Sequence, residues 1–258
     1  MIKNNLIGIS GKMGSGKDLL YNMLCELSDV DFENKKFAYP IKWIVSVLIG
    51  CDIRQLEDRE FKEKELGEEW FCWEITEHWI NDDSNVEVTS TLFASEEDSN
   101  NYWEECHLHD EIADSPKKIK LTPRKLMQLL GTEAGREIIH PNIWVNALFA
   151  DYKGKYLGAT DDMKEPVEMC FPNWIITDVR FPNEAKAIKD RGGIVIRVER
   201  KPFNRAGGME GNKQFSKQIE EDTHPSETAL DGYEFDAVID NNGSIEDLIE
   251  KVKQLKLV

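Results

Sequence analysis

The fold turns on Gly11-Lys12-Met13-Gly14-Ser15-Gly16-Lys17-Asp18. Ahead of it runs Leu6-Ile7-Gly8-Ile9-Ser10, a short apolar segment of the kind that forms a buried strand. Behind it, from Leu19 to Leu27, apolar residues recur at helical spacing. Strand, glycine-rich turn and helix in that order are the setting in which the pattern G-x-x-x-x-G-K-[ST] cradles phosphate. The glycines let the chain turn tightly and bring backbone N–H groups against phosphate oxygens. A helix beginning at Lys17 adds its partial positive charge. The Lys17 ammonium is a compact point charge with the reach to meet β- and γ-phosphates. A plain strand-to-helix turn is the bland alternative, and it would not require both glycines, the lysine and these flanks together.

The last position departs from the pattern, because Asp18 stands where a Ser or Thr hydroxyl would ligate Mg²⁺. A carboxylate is also a hard-oxygen ligand for Mg²⁺, directly or through water. Asp is equally a good helix cap. Both readings of Asp18 stay open at this level.

Length and charge narrow the function classes. The 258 residues suffice for one large α/β core, or a core with a small subdomain. The composition, 40% hydrophobic and 31% charged, is that of an ordinary globular protein. A net charge of -17 repels nucleic acid and anionic membrane, so neither is an expected partner. A phosphate site in such a chain must be locally basic. The five cysteines, Cys25, Cys51, Cys72, Cys106 and Cys170, are scattered and odd in number, which points to free thiols in a reducing compartment. With no apolar run of membrane-spanning length, the expected location is the cytosol.

Further along, Lys35 to Tyr39 predicts a short second strand, and Pro40 opens an apolar helix over Ile41–Ile49 that Gly50 stops. From Asp52 to about Pro116 the chain turns acidic and holds Trp70, Trp73, Trp79 and Trp103. It reads as an inserted subdomain, 52–118, with a helix at Leu56–Leu66 and a half-buried strand at Val86–Leu92. Cys106-His107-Leu108-His109 has no second ligand cluster at matching spacing, so it reads as surface and not as a zinc site. Thr122-Pro123 starts a helix that runs to Leu130 and stops at Gly131. On its wheel Leu126, Met127, Leu129 and Leu130 share one arc, and Arg124, Lys125 and Gln128 the other. No acid on that polar arc matches the two cations, so the face is a candidate for an external anion. A helix over Ile143 to about Tyr152 carries Trp144, by default a core aromatic.

Asn173 to Asp178 is an apolar strand ending in an acid at the carboxyl edge of the sheet. A helix with Glu184, Ala185, Ala187 and Ile188 follows, then a buried strand, Ile194–Val198, which implies a right-handed parallel crossover. Arg200 to Gly211 is a basic, glycine-rich loop, and 200–230 reads as a lid-like region in which Arg205 closes over a donor nucleotide. A polar helix is expected over Lys213–Glu221. Ala237–Asp240 is the last strand, Asn241-Asn242-Gly243-Ser244 a turn and cap, and Ile245–Leu255 an amphipathic helix.

Taken together, these segments resemble the phage-type deoxynucleoside monophosphate kinases, a branch of the P-loop nucleoside monophosphate kinases. The resemblance lies in Gly11–Asp18, Thr122–Thr132, Trp144-Val145, Thr177–Ala185, Gly192-Gly193, Asp222–Glu227 and Asn241–Ser244, collinear over nearly the whole chain except the acidic stretch. It implies a P-loop NTPase three-layer α/β/α fold with a parallel sheet of about five strands. It further implies transfer of the γ-phosphate of ATP, with Mg²⁺, to a deoxynucleoside 5′-monophosphate. By this match Ser15, Gly16, Lys17 and Asp18 hold the ATP phosphates and metal, in a loop where Gly11, Met13 and Gly14 also border ATP, and Asn242 and Gly243 lie beside adenine; Arg205 joins the ATP side by its place in the basic loop. Arg124, Lys125, Gln128, Gly131, Thr132, Trp144, Asp178, Arg180 and Glu184 line the acceptor side. Lys17, Arg124 and Arg180 are the expected catalytic cations. Leu19 departs from the Thr that often follows the Asp. A homodimer is the assembly the resemblance suggests, and host cytosol the location if the chain is of phage origin. Residue chemistry agrees with two phosphate-bearing substrates brought together against their repulsion. Two other functions remain: a P-loop kinase for another small acceptor such as dephospho-coenzyme A, and a nucleotide-binding switch with the acidic stretch as its partner surface.

Overall fold

The apolar run ahead of the glycine turn forms β1 (Leu6–Ser10), with all five residues buried. In this computed structural model residues 5–80, 86–108, 112–156, 169–200 and 228–255 are described. The chain divides into two compact units, 1–40 with 135–258, and 41–134.

In the first unit α1 (Lys17–Leu27) follows the turn and β2 (Glu33–Lys35) comes next. Strands β9 (Trp174–Val179), β10 (Ile194–Glu199) and β11 (Ala237–Asp240) complete a five-stranded sheet, in the order β11-β10-β1-β9-β2, with every pairing parallel. Parallel strands with both faces covered read as apolar runs, and the three central strands β10, β1 and β9 are largely so, whereas the edge strand β2 is Glu33-Asn34-Lys35. On one face Leu6, Trp174, Ile176, Val179 and Val195 pack with Val145, Leu148 and Phe149 of α6 (Ile143–Phe149) and Ala185 and Ile188 of α7 (Pro182–Lys189). On the other, Ile7, Ile9, Ile175, Ile196 and Ile239 pack with Leu20, Met23 and Leu24 of α1 and Leu248 and Val252 of α8 (Ile245–Gln254). Alternate side chains of each strand therefore feed two cores, which gives three layers, helix, sheet and helix. A two-stranded ribbon joins β7 (Lys155–Tyr156) to β8 (Met169–Cys170).

The second unit is built around β3 (Phe71–Ile80), which pairs antiparallel with β4 (Val86–Phe93), β5 (Ile112–Ala113) and β6 (Lys117–Lys120). The unit contains the acidic stretch 52–118. Glu77, 5% exposed, accepts hydrogen bonds from Thr91 Oγ1 at 2.9 Å and from Tyr102 Oη at 3.1 Å on α4 (Glu96–Leu108). Burial, with Glu77 alongside, pushes the Tyr102 hydroxyl up to about 12.

Local boundaries depart from the sequence reading for identifiable reasons. The second strand ends at Lys35, because the Phe37 and Ala38 amides turn to the carboxylate of Asp178 at 2.8 and 2.9 Å. The helix α2 (Tyr39–Ile49) then ends at Gly50, whose φ of 66° suits a left-handed helix end. The expected helix at Leu56–Leu66 is instead a 3₁₀ turn (Ile53–Glu57) and a short α3 (Arg59–Glu63), because Asp58 ends one and caps the other. The helix from Pro123 does not stop at Gly131. Its α part, α5 (Pro123–Leu129), passes directly into a π-helix, Leu130–Ile139. Gly131 is a packing residue, since a Cβ there would stand 3.2 Å from Cδ1 of Ile41. α6 ends at Phe149, short of Tyr152. The segment 201–227, with Arg205, the expected helix at 213–221 and Asp222–Glu227, lies outside the described residues, as does His109.

Candidate active site

The glycine turn is held by backbone geometry and by one buried side chain. Gly14 and Gly16 have φ of 76° and 102°, values that favour glycine. A Cβ on Gly16 would also collide with Nδ2 of Asn241. That nitrogen donates to the Ser15 carbonyl at 2.8 Å, and the Asn241 amide is tied to the Glu199 carbonyl at 2.7 Å. The last strand thus clamps the turn. Lys17 Nζ donates to the carbonyls of Gly11 and Lys12 at 2.6 and 3.0 Å, folded back over the loop it serves. Ser15 Oγ is buried with no hydrogen-bond partner. The N-cap of α1 is Gly16 with no side-chain cap, and Asp18 stands exposed in the first turn. An orphaned hydroxyl, an ammonium resting on exchangeable carbonyls and an exposed hard-oxygen ligand fit a phosphate chain with its Mg²⁺.

Beside β1, the end of β9 carries a second cluster. Both oxygens of Asp178 are taken by the Phe37 and Ala38 amides. Glu184, 2% exposed, accepts from Arg180 N at 2.7 Å and Phe181 N at 3.1 Å, and forms an ion pair with Arg136 Nη2 at 2.5 Å. Burial raises the Glu184 carboxyl from 4.5 to about 7. Arg136 opposes that rise and Asp178 adds to it. Arg180 is exposed at this turn. Trp144 is 3% exposed on α6.

Arg124, Lys125, Gln128, Gly131 and Thr132 belong to the second unit. Thr122 caps α5, its hydroxyl accepting from Lys125 N at 3.2 Å. The two cations do have acids, supplied by other elements: Arg124 pairs with Glu63 of α3, and Lys125 lies 3.7 Å from Glu74 of β3. A helix wheel sees only its own helix, so these partners were invisible to it. Lys125 and Thr122 border a cavity of about 540 Å³ that Phe71, Glu74, Lys118 and Lys120 also line. Asn242 and Gly243 lie exposed on the turn before α8.

Sequence reasoning missed Asn241 and Arg136. For Asn241 the available signal was its place at a strand end facing the sheet edge, where amide side chains clamp neighbouring loops. For Arg136 nothing local named Glu184 as the partner.

The profile of the deoxynucleotide monophosphate kinase family matches residues 5–252. A deoxynucleoside-5′-monophosphate kinase of Escherichia phage T5 is 29% identical over 199 residues, 72% of each chain. A putative deoxynucleotide monophosphate kinase of Acanthamoeba polyphaga mimivirus is 30% identical over 256 residues, 96% of this chain and 93% of its own. A deoxynucleotide monophosphate kinase of Enterobacteria phage T4 is 31% identical over 130 residues, 50% of this chain and 43% of its own.

Proposed function

Because this chain belongs to the deoxynucleotide monophosphate kinase family, we propose that it is an enzyme that transfers the γ-phosphoryl group of ATP to a deoxynucleoside 5′-monophosphate, giving the diphosphate and ADP. The observation that carries the reading most directly is the clamped glycine turn, with Lys17 on two loop carbonyls and Ser15 Oγ unpartnered. On binding ATP, Lys17 exchanges those carbonyls for β- and γ-phosphate oxygens, and the loop amides take the rest. Asp18 would hold Mg²⁺, which would supply charge neutralisation to the phosphate chain. Arg124, Lys125 and Arg180 serve the acceptor phosphate, Arg by its paired donors. Asp178, whose two oxygens are engaged by backbone amides, and Glu184, which gives one oxygen to amides and the other to Arg136, act on the acceptor side by shaping its turns. Phosphoryl transfer needs positioning and charge neutralisation more than covalent chemistry, and these residues supply both.

Among the described residues no helix is long and apolar enough to cross a membrane, and we read the chain as a cytosolic enzyme with small-molecule substrates. A pure nucleotide switch needs no second phosphate site and is not favoured, nor is a kinase for a different small acceptor. ADP release measured across the common deoxynucleoside monophosphates and their ribose counterparts tests the reading. Acceptor-dependent release with deoxynucleotides is the expected result. Equal ADP release with and without every nucleotide acceptor would overturn it.

A further inference from the structure

We propose that Arg136 is a positioning residue of the acceptor side, acting through Glu184 on the backbone turn that presents Arg180. The proposal rests on the reading of Arg180 as an acceptor ligand and extends it to a residue on a different element.

Glu184 is 2% exposed, so its carboxylate is closed to a solute and is spent inside the protein. One oxygen faces Arg136 Nη2 at 2.5 Å. The other accepts the amides of Arg180 and Phe181, which fixes the main chain where β9 becomes α7. The Arg136 side chain is 13% exposed, and its guanidinium lies over the Phe181 ring, 4.0 Å from the centroid. Arg136 is therefore held at two points, and both belong to the turn that follows Arg180. A planar guanidinium can satisfy a carboxylate and stack on a ring at the same time, which a lysine cannot do. An exposed arginine is thus carried on a turn locked by a buried one. Long side chains lose much rotamer freedom when they grip a ligand, and a fixed backbone direction reduces that loss.

The groups facing Glu184 are Arg136 from the π-helix, with Asp178 and the Arg180 and Phe181 amides from the turn. Without Arg136 the carboxylate would be a buried charge beside another acid. It would take up a proton, and its hold on the two amides would weaken. Acidification through the raised range of Glu184, about 7, does the same to the intact protein.

The test compares wild type with Arg180→Ala, Arg136→Lys, Glu184→Gln and the double variant Arg136→Met/Glu184→Gln. Replacing both members of a buried pair avoids leaving one charge stranded, so the double variant is the one most apt to fold. For each, acceptor KM and kcat are measured at saturating ATP, together with ATP Kd by calorimetry and the thermal midpoint. The double variant is expected to lose about tenfold or more in kcat/KM for the monophosphate, while ATP Kd changes by less than about twofold. Arg136→Lys should fall between it and wild type. In wild type, acceptor kcat/KM should carry a titration near 7 in addition to that of the substrate phosphate near 6, and Glu184→Gln should lose only the first. A folded double variant with wild-type acceptor kinetics would overturn the proposal. Should it not fold, wild-type acceptor kinetics in Arg136→Lys with an unaltered pH profile in Glu184→Gln would do so. If Arg180→Ala is impaired and the Arg136 variants are not, this proposal alone fails. If Arg180→Ala keeps its acceptor kcat/KM, the acceptor reading of Arg180 fails and takes the proposal with it.

Discussion

The two compact units of this chain use their charges in opposite ways. In the unit of 1–40 and 135–258, the charged groups near the sheet edge are committed to the backbone: Lys17 to two carbonyls, Asp178 to two amides, Glu184 to two more. In the unit of 41–134, the proposed acceptor cations meet partly exposed acids side chain to side chain, Arg124 with Glu63 and Lys125 with Glu74. The difference is one of exchangeability. A buried carboxylate that organises amides is costly to disturb, whereas an exposed ion pair contributes only about 0–1 kcal/mol. The first kind builds a fixed frame. The second kind can be surrendered to an incoming phosphate at little cost.

The largest effect should come from the cation of the glycine turn. Lys17→Ala is expected to lower kcat by about 10²-fold or more with the fold intact, by comparison with the loss of one preorganised donor. Turnover within a few-fold of wild type, with an unchanged thermal midpoint, would break the assignment of Lys17 to the transferring phosphate.

On the exchangeable side, Arg124→Ala should cost roughly 1.5–3 kcal/mol in kcat/KM for the monophosphate and leave ATP affinity alone. Glu63→Ala sharpens the contrast. It releases Arg124 from its partner, so acceptor binding should hold or tighten, and a loss as large as that of Arg124→Ala would mean the pair works as one fixed unit.

Much of the frame could be read from the sequence because its signals are local. The apolar runs of β1, β9 and β10 and the Gly11–Asp18 turn declare themselves within a few residues. Asn241 and Arg136 do not, since their partners Ser15 and Glu184 lie far along the chain. The misplaced end of β2 has the same origin, because the Phe37 and Ala38 amides answer to Asp178, 141 and 140 residues away. Glycine commonly ends helices, but Gly131 lies inside one and makes room for Ile41. The acids opposite Arg124 and Lys125 come from α3 and β3, which a single helix wheel cannot include.

A smaller effect should appear in stability against pH. The Glu184 carboxyl is raised in the folded protein from 4.5 to about 7 by burial. Its contribution to stability is therefore full below the unfolded value and is lost as pH rises through the folded one. Thermal midpoints of wild type should fall across that window relative to those of Glu184→Gln, which has no group to titrate there. Parallel curves for the two proteins would show that Arg136 keeps Glu184 ionised throughout.

Asp18→Asn should have the smallest effect on the fold and a selective one on metal. Gly16 is the cap and Asp18 is exposed, so stability should drop by no more than the dipole contribution of a first-turn acid, about 0.3–1 kcal/mol. The Mg²⁺ concentration for half-maximal rate should rise. An unchanged Mg²⁺ titration would remove Asp18 from the metal site.

In the proposed reaction the nucleotide on the glycine turn gives its terminal phosphoryl group to a second nucleotide held by a separate set of cations. The decisive measurement is incubation with ATP labelled in the γ-phosphate, with and without a deoxynucleoside monophosphate. Label should appear in the deoxynucleoside diphosphate, dependent on acceptor and abolished by Lys17→Ala. Label recovered only as inorganic phosphate, at the same rate whether or not the monophosphate is present, would contradict it.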